Sequence, residues 1–276
     1  MSGGIISFTL MAIAGREASF ELDTFEILLY RSIIGFITVL VIAKSFGTLN
    51  QIKTQILKQH FYRNIAHFSG QSLWFYALSV IPLAQVFALE FTLPLWVVIF
   101  SSPLLGEKIT RIKATSVLIG FIGILVIARP NIDTLNPGVL TAALSAVGFA
   151  FTVIFTKRLT TTESITCILF YLTSMQLIFG LIAAGLDGNI MIPSTNTTYW
   201  LVLIGFAGLT AHFCVTKALS ISSPSLVMPI DFVRLPIIAF VGVIFYSEPI
   251  DIPVFYGSIL IFYANWINLT KGGEGR

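Results

Sequence analysis

Ten apolar runs, at about 3–16, 24–43, 64–81, 83–105, 112–129, 137–156, 164–186, 198–216, 223–246 and 252–270, take up most of this chain. Stretches of roughly 17 to 25 apolar residues match the hydrocarbon thickness of a bilayer, so the fold class expected is all-α and polytopic. With 56% hydrophobic and only 11% charged residues, the chain departs from a soluble domain, whose charged fraction is about 25%. A net charge of +3, spread between the apolar runs, gives no basic patch for nucleic acid. Cys167 and Cys214 stand inside apolar runs without metal-ligand spacing and read as small buried hydrophobes.

The chain also repeats itself. Ala77-Leu78-Ser79, Glu90-Phe91 and Glu107 recur as Ala218-Leu219-Ser220, Asp231-Phe232 and Glu248, each moved by the difference between 77 and 218, which is 141. The same offset carries Arg16 onto Lys157 and Gln71 onto His212. Two copies, 1–130 and 131–276, are expected, each with five crossings. An odd number of crossings per copy turns the second copy upside down. The first run is short, and its partner starts near Pro137, five residues before the match of Met1, so the amino terminus reads as clipped or as a late start. Met1–Gly4 lacks the basic region of a signal peptide.

Cation placement predicts the orientation. With the amino terminus inside, the inner connections hold Lys44, Lys53, Lys58, Arg63, Lys108, Arg111, Lys113, Lys157, Arg158 and Lys217, and the tail adds Lys271 and Arg276. Only Arg16 and Arg129 of the 16 Lys and Arg fall outside, while Arg31 and Arg234 lie within runs. Both termini are therefore expected in the cytoplasm. The connection Lys44–Tyr62 is expected to form a short helix on the bilayer surface, with Lys53, Lys58, His60 and Arg63 toward lipid headgroups.

Charges inside apolar runs cost about 2.5 to 3.5 kcal/mol each unless paired or hydrated. Arg31, Glu90, Lys217, Asp231 and Arg234 are such charges. Glu90 and Asp231 match under the offset and would share a centre. Asp231 and Arg234, three apart, either pair with each other or divide a zwitterion, with Arg234 on a carboxylate and an acid on an amine or proton. Pro94 and Pro103 interrupt the fourth run, and Pro224, Pro229 and Pro236 the ninth, each freeing a carbonyl. His67, Gln71, Trp74 and Tyr76 give the third run a polar-aromatic side, and His212 adds to the eighth a residue type whose ordinary titration lies near neutrality. Lys217, at a helix end, is expected to snorkel. Gly120 and Gly123 are read as packing positions.

The stretch from Ala77-Leu78-Ser79-Val80-Ile81-Pro82-Leu83-Ala84 through Glu90-Phe91-Thr92-Leu93-Pro94-Leu95 to Leu104-Leu105-Gly106-Glu107-Lys108 resembles the EamA domain of the drug/metabolite transporter superfamily. The second copy, with Pro224, Asp231-Phe232, Pro236 and Ser247-Glu248, is a weaker instance, with Ser247 where Gly is typical. Phe25-Glu26 through Arg31 looks like the signature at the start of the family's second helix. The resemblance covers essentially the whole chain. It implies a bacterial inner-membrane carrier of ten helices in two inverted five-helix repeats, moving small metabolites by alternating access.

The substrate residues expected are Glu90, Asp231, Arg234, His212, Gln71, Trp74 and Arg31. The partners expected are a small molecule, the lipid bilayer and a coupling proton, with the chain as monomer or homodimer. No cofactor, metal or nucleic acid is expected. An intramembrane enzyme would need a nucleophile with its base or a metal cluster, and His60, His67 and His212 are scattered without ligand spacing to a carboxylate. A nucleotide-driven pump would need a phosphate-cradling G-x-x-x-x-G-K-[ST] loop, which is missing. Amino-acid export is the first expectation. Uptake of S-adenosylmethionine or a related nucleoside metabolite, with bases stacking on Trp74, and a lipid-linked flippase are the alternatives.

Overall fold

Caps and prolines in the sequence set where the helices start and stop. The computed structural model describes residues 2–105, 110–128, 136–186, 188–222, 224–228, 231, 234–249 and 251–271. Among them the regular elements are all helical: α1 (Ser2–Ala18), α2 (Thr24–Ser45), α3 (Leu57–Val80), α4 (Leu83–Glu90), α5 (Leu93–Leu105), α6 (Arg111–Ala128), α7 (Pro137–Leu159), α8 (Ile165–Ala184), α9 (Thr195–Ile221), α10 (Pro224–Val227), α11 (Arg234–Tyr246) and α12 (Ile252–Lys271). Asp23 and Glu26 form a reciprocal capping box at α2. Asn136, Ser164 and Ser194 cap α7, α8 and α9. Pro137 occupies the first turn of α7, where its missing N–H costs nothing.

Every expected run contains helix, and the fourth and ninth contain two pieces. Among the described residues six segments are long and apolar enough to cross a membrane: Thr24–Ser45, Leu83–Phe100, Pro137–Leu159, Ile165–Ala184, Thr195–Ile221 and Ile252–Lys271. α3 has the length but not the hydropathy, because His60, Arg63, Asn64, His67 and Gln71 lie along it. α1, with 17 residues, falls just short. The surface carries exposed Ile37, Val41, Phe240 and Phe245 among many others. So much outward apolar side chain suits hydrocarbon and not water.

The main helix pairs are α3 with α7, α1 with α9, α6 with α12 and α2 with α8. The offset of 141 moves α1 onto α7 and α3 onto α9, so it exchanges the first two pairs; α2 maps onto α8 and α6 onto α12. α3 and α7 cross so closely that a Cβ on Gly148 would stand 2.8 Å from Gly70 Cα. Gly120 and Gly123 pack against Leu95 and Ile261. Small residues at such crossings let backbones approach without lipid between them.

Two expectations fail here. The connection after α2 holds only a 3-10 turn at Leu49–Gln51, and Leu57–Tyr62 begin α3 instead of forming a surface helix. Leu57 and Phe61 keep α-helical spacing into the apolar run, so they lengthen the crossing. Arg63, assigned to a loop, is fully buried inside α3. Gly106, Glu107, Lys108, Arg129, Pro229, Phe232 and Arg276, on which some sequence readings rest, lie outside the described residues.

Candidate substrate-binding cavity

α4 ends at Glu90, and α5 begins only at Leu93. Pro94 lacks the N–H that would reach the Glu90 carbonyl in a continuous helix. Side chains mend the break: the Thr92 hydroxyl donates to Leu89 O at 2.8 Å, and Asn265 Nδ2 to Phe91 O at 3.3 Å. The break leaves Glu90 pointing into a cavity with about 780 Å³ of empty space, its mouth included.

All seven residues singled out in the sequence, Arg31, Gln71, Trp74, Glu90, His212, Asp231 and Arg234, line this one cavity. Tyr76, grouped with them by its place on α3, instead faces outward and is exposed. Lys217 is exposed near the end of α9, in keeping with a snorkelling cation.

Glu90 accepts from Trp74 Nε1 at 2.7 Å and from Arg234 Nη2 at 2.9 Å. Arg234 also pairs with Asp231, so one guanidinium holds two acids. Phe8, Phe87 and Phe91 surround the guanidinium, with centroids 4.7, 5.1 and 5.6 Å away. Desolvation makes a cation–π contact worth about 2 kcal/mol, which offsets part of the burial cost. Among the described residues Asp231 Oδ1 is buried with no hydrogen-bond partner. The pairing open in the sequence between Asp231 and Arg234 is thus present. Both contacts use Nη2 of Arg234, and among the described residues its Nε and Nη1 are buried without a hydrogen-bond partner.

A second polar group occupies the cavity wall. Arg31 Nη1 donates to Gln71 Oε1, Gln71 Nε2 donates to Gln176 Oε1, and Gln176 Nε2 donates to Asn64 O at 2.9 Å. Arg63 Nη1 donates to Asn64 Oδ1 at 3.0 Å, and its Nε to Thr156 Oγ1 at 3.1 Å. His67 and His212 meet edge to face, with centroids 4.6 Å apart. Sequence reasoning missed Arg63, Asn64 and Gln176. Stepping back from Gln71 by fours gives His67 and then Arg63, so the α3 stripe contained the signal. Gln176 stands alone in an apolar helix and gave none beyond its polarity.

The two ends of the cavity differ. At one, Arg16 Nη2 donates to Ile81 O at 2.6 Å and Nη1 stands 3.3 Å from Glu248 Oε1. The Glu248 carboxylate caps α4 by accepting from Leu83 N, at 3.0 and 2.9 Å. Burial pushes the Glu248 carboxyl above its usual range, against the pull of that N–H and of Arg16. Phe75 fills the space beside Gly15, where a Cβ would come within 2.8 Å of its ring. At the other end Lys157 Nζ donates to Leu219 O at 2.7 Å and Ser222 O at 3.0 Å. Lys157 and Ser222 are the matches of Arg16 and Ile81. The cavity reaches Thr156 and Leu219 at this end, whereas their matches Gly15 and Leu78 do not line it. It is displaced toward Lys157.

The description "EamA-like transporter family" matches residues 1–129 and again 136–270. An S-adenosylmethionine uptake transporter of Rickettsia bellii (strain RML369-C) is 25% identical over 260 residues, 94% of this chain and 88% of that protein. A riboflavin transporter of Brucella anthropi is 30% identical, covering 86% and 84%. A pseudopaline exporter of Pseudomonas aeruginosa (strain PAO1) is 28% identical, covering 98% and 94%. A solved structure aligns at a TM-score of 0.71 over 99% of this chain and 96% of that one, at 17% identity, a likeness of fold alone.

Proposed function

The chain belongs to the EamA-like transporter family, a transporter of small metabolites and not an enzyme, and from that premise we propose that it exports amino acids or their derivatives by alternating access. The observation that carries this is the paired-acid group in the cavity: Glu90 and Asp231, matched in the two copies, share Arg234, and among the described residues Asp231 Oδ1 has no partner. An ammonium is the group that such an acceptor takes. Arg234 holds the acids in place, as their mutual repulsion would otherwise drive one to protonate. A proton is the proposed coupling ion, exchanged at these acids against the substrate amine.

The proposed architecture has ten crossings in two inverted five-helix repeats, 1–130 and 131–276, in a bacterial inner membrane with both termini in the cytoplasm. In that orientation Lys157 faces the cytoplasm, and a cavity displaced toward it loads from inside. Loading from inside suits export. A second reading, uptake of an adenosyl or flavin compound, draws support from Phe8, Trp74, Phe75 and Phe149 in the cavity lining, on which an aromatic base can stack. The relatives named for such cargo point the same way.

The test is flux in proteoliposomes against radiolabelled amino acids, carboxylates and adenosyl compounds, with and without a proton gradient. Asp231→Asn is expected to lower flux at least tenfold while the protein still inserts and elutes as one species. Unchanged flux in that variant would remove the acidic group from the transport site.

A further inference from the structure

We infer that Arg31 and Arg63 form an anion subsite that takes the carboxylate of the substrate while its ammonium lies at Glu90 and Asp231. This inference rests on the transporter reading above and names the chemistry of the other end of its cargo. Both side chains are buried and line the cavity. Their protein partners are Gln71 Oε1, Asn64 Oδ1 and the Thr156 hydroxyl. Among the described residues no carboxylate stands within ion-pair distance of either.

Two buried guanidiniums held only by neutral oxygens are costly, since amide dipoles orient a cation without neutralising it. An anion from outside the protein completes the group. The guanidinium fork suits a planar carboxylate, which it can bind through two parallel hydrogen bonds.

The repeat separates what the architecture needs from what this chain adds. Glu90 has its match in Asp231, but Arg31 maps onto Leu172 and Arg63 onto Ile204, both apolar. No packing rule common to the two halves calls for these cations. His67 maps onto Gly208, and there a Cβ would stand 2.8 Å from Arg31 Nε and 3.0 Å from its Nη2. The missing side chain is what makes room for the guanidinium. His67 itself is buried against the cavity with neither ring nitrogen bonded, an unmet partner on the wall that the substrate would cross. Gln71, Gln176 and Asn64 act as positioning residues, passing one chain of amide hydrogen bonds from Arg31 to Arg63.

The experiment uses the full chain in proteoliposomes with labelled L-methionine, L-lysine and S-adenosylmethionine as probes, each challenged by its own carboxamide, by acetate and by inorganic phosphate. Wild-type protein is expected to prefer carboxylate over carboxamide about a hundredfold for the probe that it moves. Arg31→Gln and Arg63→Gln are each expected to raise KM for that probe about a hundredfold and to abolish the preference, with recognition of the amine unchanged. Arg31→Lys, which keeps the charge and loses the fork, should retain part of it. Monodisperse elution of each variant shows that folding survives. Retention of the full preference in both Gln variants overturns the subsite, as does stronger competition by phosphate than by acetate. A wild-type protein that moves none of the probes overturns the amino-acid reading and the subsite with it, whereas transport with an intact preference in the variants overturns the subsite alone.

Discussion

Arg16 and Lys157 occupy matched positions at opposite ends of the cavity and tie down matched carbonyls, of Ile81 and Ser222. Around them the chemistry diverges. The Arg16 end adds Glu248, which pairs with Arg16 and caps α4 at the Leu83 N–H. The equivalent of Leu83 is Pro224, which has no N–H to cap. Phe75 plugs the Arg16 end against Gly15, but the matches of these two residues are Thr216 and Thr156, which line the cavity at the other end. Two changes thus set the matched ends apart: a ring against a glycine, and a carboxylate with an N–H to cap.

Removing the plug should have the largest effect. Phe75→Ala is expected to cost about 3 kcal/mol or more, as for other buried Phe truncations, and to open the Arg16 end. Thermal denaturation in detergent measures the first, and labelling of Leu78→Cys by a membrane-impermeant thiol reagent, in a Cys167→Ser, Cys214→Ser background, the second. A variant of wild-type stability with Leu78→Cys still shielded would show that the ring does not close this end.

Glu248→Gln should be milder, about 1 to 2 kcal/mol, because glutamine still accepts from Leu83 but no longer pairs with Arg16. Amide exchange should rise over residues 83–86 and stay level over 224–227. Equal changes at both ends would erase the contrast.

The smallest effect concerns pH. Glu21, in the connection after α1, accepts from the Thr197 and Ser194 hydroxyls and from the Ser194 N–H, which hold its carboxyl below the usual range. A depressed folded value stabilises the fold above the ordinary carboxylate pKa of about 4.3, and the benefit disappears as pH falls through the lower value. Exchange at the start of α9 should therefore be flat from about pH 5 to 8 and rise only below about 4. A rise near neutrality would assign the effect to another group.

The sequence carried the helix positions, the matched acids and the seven cavity residues, because each rests on a local signal: an apolar run, a charge inside one, or the offset of 141. The broken fourth segment was legible through Pro94, although the gap falls just before the proline, where Thr92 and Asn265 can satisfy freed carbonyls. Arg63 was not legible. A charge at the seventh residue of α3, one position before the apolar run that begins at 64, looks like the loop before it until the His67 and Gln71 stripe is extended backward. The commitment of Arg234 to two acids and the plug of Phe75 on Gly15 are tertiary facts, which no spacing along the chain encodes.

Matched cysteines test whether the two halves are inverted around a cavity that opens at the Lys157 end. In sealed vesicles of known orientation, Leu219→Cys and Leu78→Cys would be challenged with a membrane-impermeant thiol reagent from each face. The account predicts that Leu219→Cys reacts from the cytoplasmic face at rest, while Leu78→Cys reacts only from the opposite face and only when substrate drives turnover. Reaction of both cysteines from the same face would contradict it.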